Sequence, residues 1–237
     1  RLKLFAERRL RLRTPSVDNS EISSDIAFGL GPLERYSLRD QLLASAVAGV
    51  DPSAWQPYVE ASGDLPPFTY GKTAFDLEVA GVDDIVAAIK ADGLSVPAVW
   101  RDVHIDHVVD SSGARVCGAV SGVIDDVIVE TRSSSQVVEV VLERIVDLAA
   151  LTIVDPTVEW RCVIYAPQSS NGVRRIELQL RDHLVAQSIF ELSADLCIRA
   201  MSEPIPWFPR VGVALARQQR SAAASEWNGS NNSPGLR

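Results

Sequence analysis

The stretch VIVETRSSS, Val127 to Ser135, opens as a β-branched apolar run and closes on polar residues. Such a run favours a strand. Residues two apart on a strand share a face, so Glu130 and Arg132 set a carboxylate beside a cation. Read as an exposed ion pair, they are expected to contribute only ~0–1 kcal/mol. Upstream, AVWRDVHIDHVV, GARVCGAVSGV and DVIVETR alternate or run β-branched, separated by turn residues at Asp110 to Gly113 and at Asp125-Asp126. The three segments predict an antiparallel meander.

Helical periodicity flanks this meander on both sides. GPLERYSLRDQLLASAVAG opens after Gly31-Pro32 and spaces Leu33, Tyr36, Leu38, Leu42, Leu43 and Ala46 as one helix does. DPSAWQPYVEASG reads as a short helix start broken by Pro57. GDLPPFTYG reads as a rigid loop, because two consecutive prolines hold the backbone near extended geometry. AFDLEVAGVDDIVAAIKADG reads as one or two helices with Gly81 as a break. After the meander, SQVVEVVLERIVDLAALTIV returns to helical period and EWRCVIYA is another strand. RIELQLRDHLVAQSIFELSADLCIRAM reads as one long helix and PRVGVALARQQRSAAASEW as another, with NGSNNSPGLR a frayed tail. This order predicts an α/β (α+β) fold, a mixed central sheet flanked by helices.

The composition, 46% hydrophobic and 23% charged over 237 residues, suits a globular chain with a sizeable core. The apolar runs are short of a membrane span and the first residues are too charged for a signal peptide, so a cytoplasmic protein without membrane contact is expected. RLKLFAERRLRLR, an amphipathic run opening on Arg1, suggests a piece of a longer chain. The net charge of −8 divides into +5 over residues 1–13, −6 over 14–68, −10 over 69–160 and +3 over 161–237. Phosphate contacts need clustered basic groups, so any DNA contact is expected at the Arg-rich ends, notably Arg8, Arg9, Arg11 and Arg13. The same arginines also fit the solvated face of a helix. Cys117, Cys162 and Cys197 are expected to be buried free thiols.

Other constellations carry less. His104 and Asp106 share a strand face from which His107 points away, so one ion would need a bulge to meet all three. His183 with Asp182 lacks the Gly-x-Ser-x-Gly elbow of a triad. Gly71-Lys-Thr73 lacks the glycine and strand that precede a phosphate loop. In Pro204-Ile-Pro-Trp207-Phe208-Pro209-Arg210, Trp207 and Phe208 suit base stacking with Arg210 on a phosphate, docking to a partner, or capping of the core.

Four blocks in order carry a resemblance. Leu33, Glu34, Tyr36, Leu38, Arg39, Asp40, Leu42 and Leu43 lie on the first clear helix. Gly63, Leu65, Pro66 and Gly71 follow as a loop. The opening run RLKLFAERRLRLR, and PIPWFPRVGVALARQ with Ala223 and Trp227, complete the set. Together they are similar to the C-terminal domain of RecC, the gamma chain of exodeoxyribonuclease V. The helix VVEVVLERIVDL departs from the family's Arg-x-Trp pattern, and Pro234-Gly235-Leu236 lacks an acidic residue common there.

The resemblance implies a PD-(D/E)xK nuclease-like fold with a degenerate active site, over residues 1–227. Residues 1–96 form a mainly helical entry segment, 97–227 the sheet and its flanking helices, and 228–237 a flexible tail. It implies a non-catalytic scaffold in a helicase–nuclease hydrolase that repairs and recombines broken DNA, with RecB, RecD and DNA as partners. No cofactor is expected in this domain, since the partners use Mg²⁺ and ATP. Catalytic relatives carry an Asp on one strand and Asp/Glu-x-Lys on the next. Aligned with that pattern, Ser121 replaces the Asp, and Glu130 and Arg132 fill the second motif. A neutral serine is a poor ligand for a hard cation, and arginine cannot give up a proton near neutral pH. The lysines are Lys3, Lys72 and Lys90, and none completes an Asp/Glu-x-Lys. Two rivals stand beside this reading: an active Mg²⁺-dependent DNA nuclease of the same fold with a displaced site at Asp125, Asp126 and Glu130, and a truncated or decaying relative that folds poorly and has no activity.

Overall fold

The computed structural model describes residues 30–168, 172–203, 209–230 and 233–234. Helix α1, Pro32–Val47, starts with Pro32 in its first turn, and the Gly31 N–H donates to the Glu34 carboxylate at 2.7 Å. Proline suits this position because the first-turn N–H has no helical acceptor. The same rule corrects the reading of Pro57. A 3₁₀ turn, Pro52–Trp55, runs into helix α2, Gln56–Ser62, which has a proline in its first turn. Pro57 therefore opens α2 instead of breaking it. Helix α3, Thr69–Ala91, is continuous through Gly81 and begins earlier than the two prolines suggested. It buries Phe75, Val82, Ile85 and Ile89 on one stripe. Gly71-Lys72-Thr73 lies in its first turn, where a Cβ at Gly71 would come 2.1 Å from the Pro66 carbonyl oxygen.

Strands β1, Arg101–Val108, β2, Arg115–Ile124, and β3, Val127–Thr131, form the expected antiparallel meander. Helix α4, Val138–Val154, then crosses back to strand β4, Arg161–Pro167, which pairs parallel to β3. Strand β5, Val173–Gln179, closes the sheet antiparallel to β4, giving the order β1-β2-β3-β4-β5. This corrects the long helix expected over RIELQLRDHLV. The alternation of Ile176 and Leu178 with charged residues fits the open edge of β4, and both apolar side chains pack against the core. Helix α5 is shorter, His183–Ser202, and starts where the Asp182 side chain accepts from the Leu184 N–H at 2.8 Å. The next expected helix is also divided, into α6, Pro209–Ala216, and α7, Arg220–Asn228. Gln218 takes a left-handed φ of 60° between them, a common helix stop. In the tail, Gly229 and Ser230 pair with Pro234 and Ser233 where fraying was expected.

The sheet is covered on both faces. Leu148 and Leu151 of α4 and Phe190 of α5 meet Ile128, Cys162 and Ile164 on one side. Leu42 and Leu43 of α1 and Phe75 and Ile85 of α3 meet Val127, Val129, Val163 and Tyr165 on the other. Strand β4 is consequently buried on both faces, which is why its sequence runs apolar without alternation. Among the cysteines Cys162 is buried, whereas Cys117 and Cys197 are exposed, contrary to expectation. Cys117 lies on the outer hairpin, and Cys197 of α5 lines an open groove against α4.

A polar clamp joins the helical layer to the sheet. Asp92, the residue after α3, accepts from Tyr165 Oη and Arg175 Nε, each at 2.5 Å. Burial disfavours the Asp92 carboxylate, but the Arg175 and Tyr165 hydrogen bonds outweigh it and hold its pKa below the usual value. A depressed folded pKa contributes stability above the unfolded value that is lost as pH falls through the folded one. Asp92→Asn is therefore expected to cost about 1 kcal/mol at neutral pH. In urea titrations the gap to the wild type should close as pH drops below the ordinary carboxylate range.

Candidate functional site: the β2–β3 hairpin and its arginines

Asp125 and Asp126 make the turn between β2 and β3. Asp125 adopts φ 53°, a conformation that aspartate tolerates well, and its carbonyl accepts from the Arg101 guanidinium. On the outer side of β2, Val103 pairs with Val120 but Arg101 pairs with Val123. One extra residue, within Ser121-Gly122, therefore forms a β-bulge, with Gly122 at φ 76°. The bulge lets Val120 and Val123, three apart, reach the same core. Ser121 is left exposed beside it. Ser121 and Glu130 each stand two residues beyond the last paired residues of the hairpin, Val123 and Ile128.

Glu130 is not the exposed partner of Arg132 that its spacing suggested. Its side chain is only 14% exposed, and Arg132 reaches its Oε1 at a long 3.6 Å. The principal partner is Arg144 of α4, which donates to Glu130 Oε2 from Nε at 3.0 Å and from Nη2 at 2.6 Å. The same guanidinium donates from Nη1 to Asp147 Oδ2 at 2.6 Å. Burial raises the Asp147 pKa, with Arg144 opposing and Glu130 adding to the rise. Burial also works against the Arg144 charge, but Glu130 and Asp147 outweigh it and hold its pKa up. Behind the network, burial pushes the Cys162 thiol up to about 12, so it is an unreactive core group.

The sequence reading missed Arg144 and Asp147. Their signal was present, as a cation and an acid three apart in the otherwise apolar segment ERIVDLAAL. What it lacked was the identity of the strand carboxylate they meet. Just beyond β3, Ser133 is buried and donates to Asp40 Oδ1 of α1 at 3.0 Å, tying the hairpin exit to the other helical layer.

The other sequence candidates are dispersed. Asp126 precedes Glu130 by four strand residues, a separation of ~13 Å at the usual strand rise. Asp125, Asp126 and Glu130 thus do not converge on one ion. Among the described residues no group of three or more His, Cys, Asp or Glu side chains is placed to hold a metal ion. A nuclease-type divalent cation does not fit the donors at the hairpin, since Ser121 brings no charge and the Glu130 oxygens face guanidinium groups. Asp106 on edge strand β1 takes a two-pronged contact from Arg115, at 2.7 and 2.6 Å, which holds its carboxyl down at about 2. His107 packs edge-on against Phe190 with ring centroids 5.6 Å apart. Arg210 of α6 donates to Glu139 of α4 at 2.7 Å, so its guanidinium is engaged within the fold. Arg8, Arg9, Arg11, Arg13, Trp207 and Phe208 lie outside the described residues.

No curated protein matches the chain by sequence. The family model described as the RecC C-terminal domain matches residues 2–220, a span that contains the hairpin and the helices on both faces of the sheet. This chain belongs to the RecC C-terminal domain family.

Proposed function

We propose that the chain is a non-catalytic docking and strand-guiding domain of the RecBCD complex, exodeoxyribonuclease V. RecC membership itself gives the chain a role in that complex, in DNA repair and recombination. The finer reading rests on one observation. The strand carboxylate a nuclease would use, Glu130, is held by Arg144, with Arg132 nearby and neutral Ser121 across the hairpin. Metal-assisted hydrolysis needs carboxylates free to take the cation and a group that orients and activates water. A carboxylate locked to a guanidinium offers neither.

The acidic middle of the chain favours protein contacts over unaided DNA binding. RecB and RecD are the proposed partners, with DNA met inside the assembly, in the cytoplasm where chromosomal DNA is processed. Magnesium and ATP chemistry then belongs to the partner subunits. Among the described residues no helix is long and apolar enough to cross a membrane. The test is capture of purified RecB and RecD on this chain after exhaustive nuclease treatment. Retention of either subunit is the expected result. Mg²⁺-dependent DNA cleavage by the chain, abolished by Glu130→Gln, would instead make it a nuclease.

A further inference from the structure

We propose that the open groove between α4 and α5 is the seat of the chain's own basic segment, RLKLFAERRLRLR, Arg1 to Arg13. The groove encloses about 590 Å³, and its apolar lining comes from Leu142 and Val146 of α4 and Leu196, Cys197 and Ala200 of α5. Helix α5 buries only Ala186 and Phe190, while its Leu192 and Met201 are 61% and 83% exposed. An apolar helix face left that open calls for a cover. One wall of the groove is acidic. Glu139, Glu143 and Asp147 recur every four residues on α4, so they form a single ridge along it. Arg210 answers Glu139, and Arg144 is shared between Asp147 and Glu130. Glu143 is exposed and, among the described residues, has no cation paired with it. A complementary occupant is therefore both apolar and basic.

RLKLFAERRLRLR has that chemistry, with a net charge of +5. In helical period Leu2, Phe5 and Leu12 share a face, and Arg9 and Arg13 run along it four residues apart, the spacing of the acids on the ridge. The family match begins at residue 2, so the segment belongs to the domain. Its reach suffices. Leu30 packs with α1 and α3 on the other face of the sheet, and residues 14–29 can extend to about 50 Å, against a radius of gyration of ~18 Å for a domain of this length. With its arginines engaged at the ridge, this end of the chain serves the fold and is not a DNA-binding arm.

This contact lies within one chain and is independent of whether the chain captures RecB or RecD. The test uses the native thiol of Cys197 in the full chain. Leu2→Cys, Phe5→Cys and Leu12→Cys are made one at a time and treated with a short bismaleimide in dilute solution, and the joined peptides are identified by mass spectrometry. Cys117, exposed on the outer hairpin, is the internal reference. At least one variant should join to Cys197 within a single chain about tenfold faster than to Cys117, through the higher local concentration that docking creates. Adding Glu143→Arg should slow that reaction by about threefold at low salt. The proposal is overturned if no variant joins to Cys197, or if Cys117 reacts as fast. It is overturned equally if the link forms only between two chains, which would place a second copy in the groove.

Discussion

Replacing Arg144 by methionine is expected to lower the stability of the chain by about 2–4 kcal/mol, somewhat less than for a fully buried pair because the network is partly exposed. The change removes the one group that donates to both Glu130 and Asp147 and leaves two carboxylates in a half-buried corner between β3 and α4. Urea unfolding measures it, with an unchanged slope indicating that the native fold persists. Adding Glu130→Gln should recover about 1–3 kcal/mol, a coupling expected of residues in direct contact. The pH dependence has a definite sign. Asp147 already has a raised folded pKa, a condition that favours the folded state at low pH and costs stability as pH rises through that value. The deficit of Arg144→Met should therefore be largest at neutral pH and shrink under acid. A deficit below ~1 kcal/mol at neutral pH would reduce the network to an ordinary surface pair.

Phe75→Ala should be costlier still, about 3–5 kcal/mol. Phe75 is 1% exposed in the core that joins α1 and α3 to Val163 and Tyr165 of β4. Its removal leaves a cavity walled by the sheet, which cannot collapse without breaking strand pairing. Phe68, seven residues earlier and 91% exposed, provides the control. Phe68→Ala should stay within ±0.5 kcal/mol. Calorimetry would separate them, at about 2–4 °C of midpoint for each kcal/mol in a chain of this size. Equal effects would mean that the helical layer does not share a core with the sheet.

The two substitutions also mark the boundary of what the sequence made legible. Phe75 lies on the stripe of Phe75, Val82, Ile85 and Ile89, whose spacing alone identifies a buried helix face. The same holds for Leu38, Leu42, Leu43 and Ala46 of α1 and for the alternation that defines the meander. Arg144 was legible as a charge in an apolar helix, but its partner Glu130 is 14 residues away on another element. Likewise Asp40 and Ser133 meet across 93 residues.

Where local pattern fitted two structures, packing chose between them. RRIELQL alternates like a strand and continues into a helical run, so the sequence supports both. The open edge of β4 makes it a strand, paired in register from Arg161 opposite Gln179 to Pro167 opposite Val173. Proline at Pro57 reads as a break only until the preceding turn delivers it to the first turn of α2, where no hydrogen bond is lost. By itself the sequence determined the elements around the hairpin, the faces they bury and the resemblance to RecC, because periodicity and motif order are local properties of the chain. Only the tertiary structure decided which charges meet, that β5 completes the sheet, and that Arg144 sits on Glu130, because ion pairs and strand pairing depend on neighbours that folding brings from far along the chain.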